Sequence, residues 1–153
     1  MTRTKGRMQF CITLLILNLI FIWGNSLMPG EISGAISLWV KNLLSCLLPG
    51  DGDSQEGHGL LRKLAHFTEF SCLGMILCWM VSMLGKMPWH SLIYSALAAC
   101  IDEGIQCFVP DRGPRIRDVM IDTAGATVGM LLLLAGYAIY KKRKQKIIKE
   151  KTK

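Results

Sequence analysis

Three long apolar runs, each nearly free of charged residues, dominate the chain. They cover about residues 8–28, 64–84 and 119–140. The first run has no acidic or basic residue, the second has only Glu69 and the third has only Asp122. An α-helix needs about 20 residues to cross the hydrocarbon core of a bilayer. The pattern therefore predicts three membrane-spanning helices.

A fourth spanning helix is predicted between the second and third runs. Residues 87–101 contain no Asp, Glu, Lys or Arg, but they are short for a crossing on their own. The apolar pattern resumes after Asp102 and Glu103, so residues 88–109 make one helix of spanning length with two acids near its end. A tight turn at residues 85–88 joins this helix to the preceding span.

The connection between the first two spans, residues 29–63, is long for so small a chain. Apolar residues repeat within it at helical spacing: Ile36, Val40, Leu43, Leu44, Leu47 and Leu48, with Trp39 beside them. This repeat indicates an amphipathic helix in the outer membrane interface. The predicted fold is thus an all-α, integral membrane, four-transmembrane-helix bundle with an interfacial amphipathic helix in the first outer loop. The transmembrane domain covers residues 1–140, and residues 141–153 form a basic cytoplasmic tail.

The basic residues ahead of the first run also fit the start of a signal peptide. However, the run is longer than the usual apolar stretch of about 7–15 residues, and no A-x-A-like cleavage site follows it. We therefore interpret it as an uncleaved span.

Composition and charge support this interpretation. Hydrophobic residues make up 51% of the chain and charged residues 19%, whereas soluble domains are about 25% charged. If both termini are cytoplasmic, the inner side holds twelve of the 18 Lys and Arg but one of the 11 Asp and Glu. This distribution follows the positive-inside rule. The net charge of +7 is then a topology signal, and we expect no nucleic-acid partner.

Ionisable residues within spans cost at least about 2.5 kcal/mol each and often mark functional sites. Here they gather toward the outer ends of the predicted helices. His66 and Glu69 share a face of the second span, and Asp102 and Gln106 share a face of the third. The predicted outer cluster comprises His66, Glu69, Asp102, Glu103, Gln106, Asp118 and Asp122, with Arg112, Arg115 and Arg117 in or beside the loop above it.

Asp118 and Asp122 continue a stripe of small residues on the last span. Gly125 and Gly129 follow them on the same face. The spacing of the two glycines allows close approach of helices. The two aspartates should therefore face another helix and not lipid, although the glycines could equally serve a dimer. Asp118 also lies where an acid caps a helix start and complements its dipole.

Several of these segments resemble the signatures of the VanZ-like family. They are the runs at residues 23–30, 62–70 and 102–112 and the series Asp118, Asp122, Gly125 and Gly129. The combination K-x2-H-x2-E, D-E-x2-Q-x5-R and a later D is specific. The resemblance implies a multi-pass protein of the bacterial cell membrane associated with resistance to glycopeptide antibiotics, teicoplanin especially. Those antibiotics bind peptidoglycan precursors outside the membrane, on the side where the cluster is expected.

Two classes of function fit these residues. The first is a non-enzymatic envelope protein whose outer cavity binds a peptidoglycan precursor, a phospholipid headgroup or a glycopeptide. Its ligand-binding candidates are Lys63, Gln106, Arg112, Arg115, Arg117 and Asp122. Arginine suits phosphate and carboxylate recognition.

The second is an intramembrane enzyme acting on a lipid-linked phosphate or headgroup. The candidates for acid/base catalysis, or for holding a divalent cation as cofactor, are His66, Glu69, Asp102, Glu103 and Asp118. A proton-coupled carrier using the same acids ranks last, because the inner half of every span is apolar.

Overall fold

The computed structural model of the protein describes residues 2–47, 56–110 and 112–151. Five α-helices and no strand occur in these residues, which confirms the all-α prediction. The helices are α1 (Thr2–Ser26), α2 (Gly30–Leu47), α3 (Glu56–Met83), α4 (His90–Gln106) and α5 (Ile116–Lys151).

Three of the described helices are long and apolar enough to cross a membrane. The qualifying segments are Thr4–Ser26, Arg62–Met83 and Ile116–Glu150. They contain the three apolar runs of the sequence. In contrast, α4 has 17 residues and is shorter than the span predicted over residues 88–109. It ends at Gln106 because the chain turns at residues 107–110, and Pro110 cannot continue a helix.

The turn predicted between α3 and α4 is present and has a defined geometry. Gly85 adopts a φ of 69°, a left-handed conformation that favours glycine. The Gly85 N–H donates to the Ser82 carbonyl at 3.2 Å, and the Lys86 N–H donates to the Val81 carbonyl at 2.9 Å. These two bonds close the end of α3 as a Schellman motif.

Helices in the first connection and at the end of the chain extend beyond the residues that the apolar pattern indicates. Within the connection, α2 occupies the predicted amphipathic segment and packs against α3. The side chains of Leu43, Leu44 and Leu47 and all of Leu48 lie outside the described residues. At the other end of the chain, α5 continues through the basic tail to Lys151.

The closest helix pair is α3 with α5, and its contact runs along the predicted glycine stripe. A methyl group on Gly125 would overlap the Phe67 carbonyl, and one on Gly129 would overlap the Ser71 carbonyl. From the other side, Gly74 lies against the backbone of Ala126. The Ser71 hydroxyl donates to the Gly125 carbonyl at 2.8 Å. The glycines therefore serve an interface within one chain.

An apolar core lies beside this helix pair and is shared by α1, α3 and α4. Its buried members are Ile22, Phe70, Leu73, Leu77, Ala98 and Ala99. On the outer face of α1, Ile12, Ile16 and Ile20 are exposed at four-residue spacing. A continuous apolar stripe facing outward is typical of a helix in contact with lipid.

Candidate functional site

The polar residues predicted to cluster do meet, at the end of the bundle where α1 and α4 finish and α3 and α5 begin. We call this region the polar end. It comprises Asn25, Ser26, Arg62, Lys63, His66, Glu69, Asp102, Glu103, Gln106, Arg112, Arg115, Asp118 and Asp122. Within it, the side chains of Glu69, Asp102, Glu103, Gln106 and Asp122 are buried.

The Gln106 side chain links three helices at the polar end. Its amide oxygen accepts a hydrogen bond from Arg62 Nη2 at 3.0 Å. Its amide nitrogen lies 3.0 Å from Asp102 Oδ2, 3.1 Å from Glu103 Oε1 and 3.4 Å from Ser26 Oγ. Since the arginine can only donate, it orients the amide so that the nitrogen faces the two acids.

The Glu69 carboxylate lies beside an amide and an imidazole, and among the described residues it forms no ion pair with an arginine. Its Oε1 accepts from Asn25 Nδ2 at 2.7 Å. Its Oε2 has no hydrogen bond and lies 3.7 Å from His66 Nδ1, which is also buried without a hydrogen-bond partner. The i, i+3 spacing read from the sequence does bring this pair together.

Glu103 holds the start of α5. Its Oε2 accepts a hydrogen bond from the Arg115 backbone N–H at 2.7 Å, one residue before Ile116 opens the helix. Asp118 lies in the first turn of α5. Both carboxylates thus lie near the positive end of the helix dipole, where negative charge is stabilised.

Arg112 reaches from the α4–α5 loop back to the end of α1. Its Nη1 donates to the Ser26 carbonyl at 3.1 Å, whereas its Nε is buried without a hydrogen-bond partner. Burial lowers the pKa of the Arg112 guanidinium from its ordinary value, and the charge of Arg62 lowers it further. Arginine nonetheless stays protonated.

Two adjoining pockets open at the polar end. The first, which we call the polar pocket, has a volume of about 150 Å³ and is lined mainly by polar and charged residues: Arg62, Lys63, His66, Glu103, Gln106, Arg112, Gly113, Arg115, Asp118, Ile121 and Asp122. The second has a volume of about 330 Å³ and is mostly apolar, with a lining that includes Met28, Ile36, Val40, Leu64 and Ala65. Arg62, His66 and Arg112 line both pockets.

One group at the polar end has the composition of a metal site. His66, Asp102 and Asp122 each offer one ligand atom, and these atoms all lie within 4.8 Å of one another. His66 and Asp122 line the polar pocket, whereas Asp102 is fully buried and lines neither pocket.

The sequence-predicted residues separate into four places in the structure. Most line the polar pocket. Glu69 lines the apolar pocket, and Asp102 lies behind both. Arg117 does not line the polar pocket but a further pocket, together with Lys63, Arg115 and Asp118.

Sequence reasoning did not place Asn25, Ser26 or Arg62 among the site residues. All three make hydrogen bonds at its centre. The available signal was the polar pair that ends an otherwise apolar span at Asn25 and Ser26. Polar side chains in a span bond to neighbouring helices more often than they face lipid.

These features define an all-helical protein with helices of membrane-spanning length and a buried polar cluster at one end. The chain matches the VanZ/LLP1 family model over residues 6–139 and belongs to this family. Membership identifies a membrane protein of a family associated with teicoplanin resistance. No curated protein and no solved structure matches the chain.

Proposed function

We propose that the protein binds a phosphate-bearing headgroup of a cell-envelope lipid, or of a lipid-linked ligand, in the polar pocket. The observation that supports this most directly is the Arg112 side chain. Its guanidinium is held at one nitrogen by the Ser26 carbonyl, while its buried Nε lacks a partner. A phosphate oxygen would satisfy that donor, and arginine donors are suited to bidentate phosphate recognition.

The apolar pocket supports a lipid-linked ligand over a free anion. It adjoins the polar pocket at Arg62, His66 and Arg112, and it is lined by apolar side chains from α2 and α3. A ligand with an anionic head and a hydrocarbon chain would fill both pockets at once. The shared basic residues would then contact the junction between head and chain.

For the bilayer, we propose that α4 makes a fourth crossing, that α2 lies in the outer interface and that both termini are cytoplasmic. The positive-inside distribution of Lys and Arg supports this arrangement. The polar end would then face outward, where glycopeptides meet their targets. In a background without native cysteines, we expect Gly113→Cys to react with an impermeant thiol reagent from outside and Lys86→Cys to remain unlabelled. The reverse pattern would contradict the orientation.

Ligand binding can be tested by thermal unfolding of the purified full-length protein in detergent. We expect a polyprenyl phosphate or phosphatidylglycerol to raise the melting temperature more than the matched polyprenol or diacylglycerol. Arg112→Ala should weaken phosphate-lipid binding by about tenfold or more, since a hydrogen bond to a charged group contributes about 1.5–3 kcal/mol. Arg143→Ala, in the exposed tail, is the control. An equal response to the phosphate lipids and their neutral counterparts would contradict the proposal.

Binding of this kind would lower the access of glycopeptides to their lipid-linked target. We therefore expect expression of the protein in a susceptible host to raise the minimum inhibitory concentration of teicoplanin. Arg112→Ala should return it to the level of the empty vector at equal membrane abundance. Unchanged protection by this variant would show that ligand binding through Arg112 is not the cause of resistance.

A second candidate function, hydrolysis of the ligand's phosphate ester, is favoured by the His66–Glu69 pair. His66 would take a proton from water attacking phosphorus, with Glu69 orienting the ring across the 3.7 Å contact. The P–O bond to the lipid alcohol would break, and the released alkoxide would take up a proton. Phosphate release that is abolished by His66→Ala and Glu69→Gln would establish this activity. No release by the wild-type protein would exclude it for the lipid tested.

A further inference from the structure

We propose that His66, Asp102 and Asp122 form a binding site for a divalent transition-metal cation, of which Zn²⁺ and Mn²⁺ are the best matches. The three residues come from α3, α4 and α5, so the cation would tie together the three helices that meet at the polar end. This inference goes beyond lipid binding, is an alternative to the general-base role of His66, and is tested with metal alone.

The geometry needs only a small contraction to hold an ion. The three ligand atoms lie within 4.8 Å of one another. Ligands at about 2.0–2.2 Å from a tetrahedral ion lie roughly 3.3–3.6 Å apart. Even if every pair stood at the 4.8 Å limit, side-chain rotations that move each ligand atom inward by less than about 1 Å would close the difference.

An independent observation at Asp102 points to a missing ligand. Its side chain is 0% exposed, and its Oδ1 has no hydrogen-bond partner. Its other oxygen is held by the Gln106 amide at 3.0 Å, and that amide is oriented by Arg62. A buried carboxylate oxygen without a partner is costly. A bound cation removes that cost, and hydrogen bonding of the second oxygen is how metal-ligating carboxylates are usually positioned.

The charge balance of the polar end also favours a cation. Glu69, Asp102, Glu103 and Asp122 are all buried there. Among the described residues, neither Arg62 nor Arg112 forms an ion pair with any of them. Arg62 donates to the Gln106 amide oxygen, and Arg112 donates to a backbone carbonyl. A divalent cation would neutralise the acids that the arginines leave without a counter-charge.

The donor set indicates the class of metal. Imidazole nitrogen binds Zn²⁺ and other transition metals, whereas Ca²⁺ and Mg²⁺ prefer all-oxygen sites. One histidine with two carboxylates leaves at least one coordination position for water or a ligand oxygen. Because His66 and Asp122 line the polar pocket, that position would face the bound headgroup.

The test uses the purified full-length protein, stripped with a chelator and titrated with Zn²⁺ or Mn²⁺ in detergent without added lipid. Metal content is measured by elemental analysis, and Mn²⁺ binding by electron paramagnetic resonance. We expect one equivalent per chain and a higher melting temperature with metal than with chelator. Asp122→Asn and His66→Ala should each weaken binding by about tenfold or more.

Two further variants make the result specific. Glu31→Gln removes an exposed acid on α2 and should bind metal like the wild type. Glu150→Gln removes an exposed acid near the end of α5 and should likewise keep the stoichiometry of one.

Three outcomes would overturn the proposal. They are substoichiometric metal in the wild type, an Asp122→Asn variant that binds as tightly as the wild type, and a melting temperature unmoved by metal. The last would mean that a proton, not a metal, neutralises the cluster. Since no lipid is present, none of these results bears on the headgroup proposal, and failure of the lipid titration would leave the metal result standing.

Discussion

The middle of the α3–α5 pair and the polar end are built from the same two helices but by opposite rules. In the middle, Gly125 and Gly129 bring backbone against backbone, and a methyl group has no room. At the polar end, the same helices line a pocket of about 150 Å³. Close packing and hydrogen bonds drive helix association in lipid, where no hydrophobic force acts between helices. The middle of the α3–α5 pair therefore stabilises the fold. The polar end contributes less to stability than its residues would if they were packed closely.

The distribution of unsatisfied polar atoms supports this division. In the described side chains, seven buried nitrogen or oxygen atoms lack a hydrogen-bond partner, and four of them belong to the polar end. These four are on His66, Glu69, Asp102 and Arg112. Each such atom costs about 1–3 kcal/mol, so their concentration in one place indicates a site that awaits a ligand.

The largest effect on stability should come from filling the glycine contact. Gly129→Ala places a methyl group into the Ser71 carbonyl, and neither backbone can yield without separating the helices. We expect a loss of about 3 kcal/mol, at the upper end of the usual cost of overpacking. The measurement is thermal or denaturant unfolding in detergent.

The matched control is Gly136→Ala on the same helix. Nothing lies within 4 Å of a methyl group there, so we expect no loss and a slight gain from helix propensity. Equal stability of the two variants would remove the basis for treating the middle as the stabilising half.

A smaller effect is expected from removing the amide that organises the polar end. Gln106→Leu leaves Asp102 Oδ2 and Arg62 Nη2 without the partners they have in the wild type. We expect a loss of about 2 kcal/mol in the free energy of unfolding. Gln145→Leu, in the exposed tail, controls for the chemical change. A gain in stability would show that the polar network is retained at a net cost and only for function.

The sequence predicts much of this division because membranes constrain helices strongly. The apolar runs locate α1, α3 and α5, since a span must be long and nearly free of charge. The same constraint makes each ionisable residue within a span informative, so the convergence of His66, Glu69 and Asp122 could be predicted from their depth in the spans and their helical spacing. The sequence also predicted that Gly125 and Gly129 face another helix. The structure identifies that helix as α3.

The C-terminal extent of α5 and the hydrogen bonds between helices could not be predicted, because no periodic pattern in the sequence marks them. The helix α5 continues to Lys151 through a segment rich in good helix formers, where no apolar face defines an end. The direction of the Gln106 amide depends on Arg62, which lies 44 residues away in the chain. Likewise, the bond from Asn25 to Glu69 joins residues whose pairing only the packing of α1 against α3 decides.

The smallest effect should come from a hydroxyl that bonds across the close helix contact. Ser71→Ala removes the hydrogen bond to the Gly125 carbonyl, for which we expect a loss of about 0.6 kcal/mol. Ser82→Ala is the control, because that hydroxyl bonds to the Cys78 carbonyl of its own helix at 2.7 Å. The difference between the two variants in unfolding free energy isolates the inter-helix bond. A cost for Ser71→Ala no greater than that for Ser82→Ala would mean that the glycine contact alone, without polar assistance, holds α3 and α5 together.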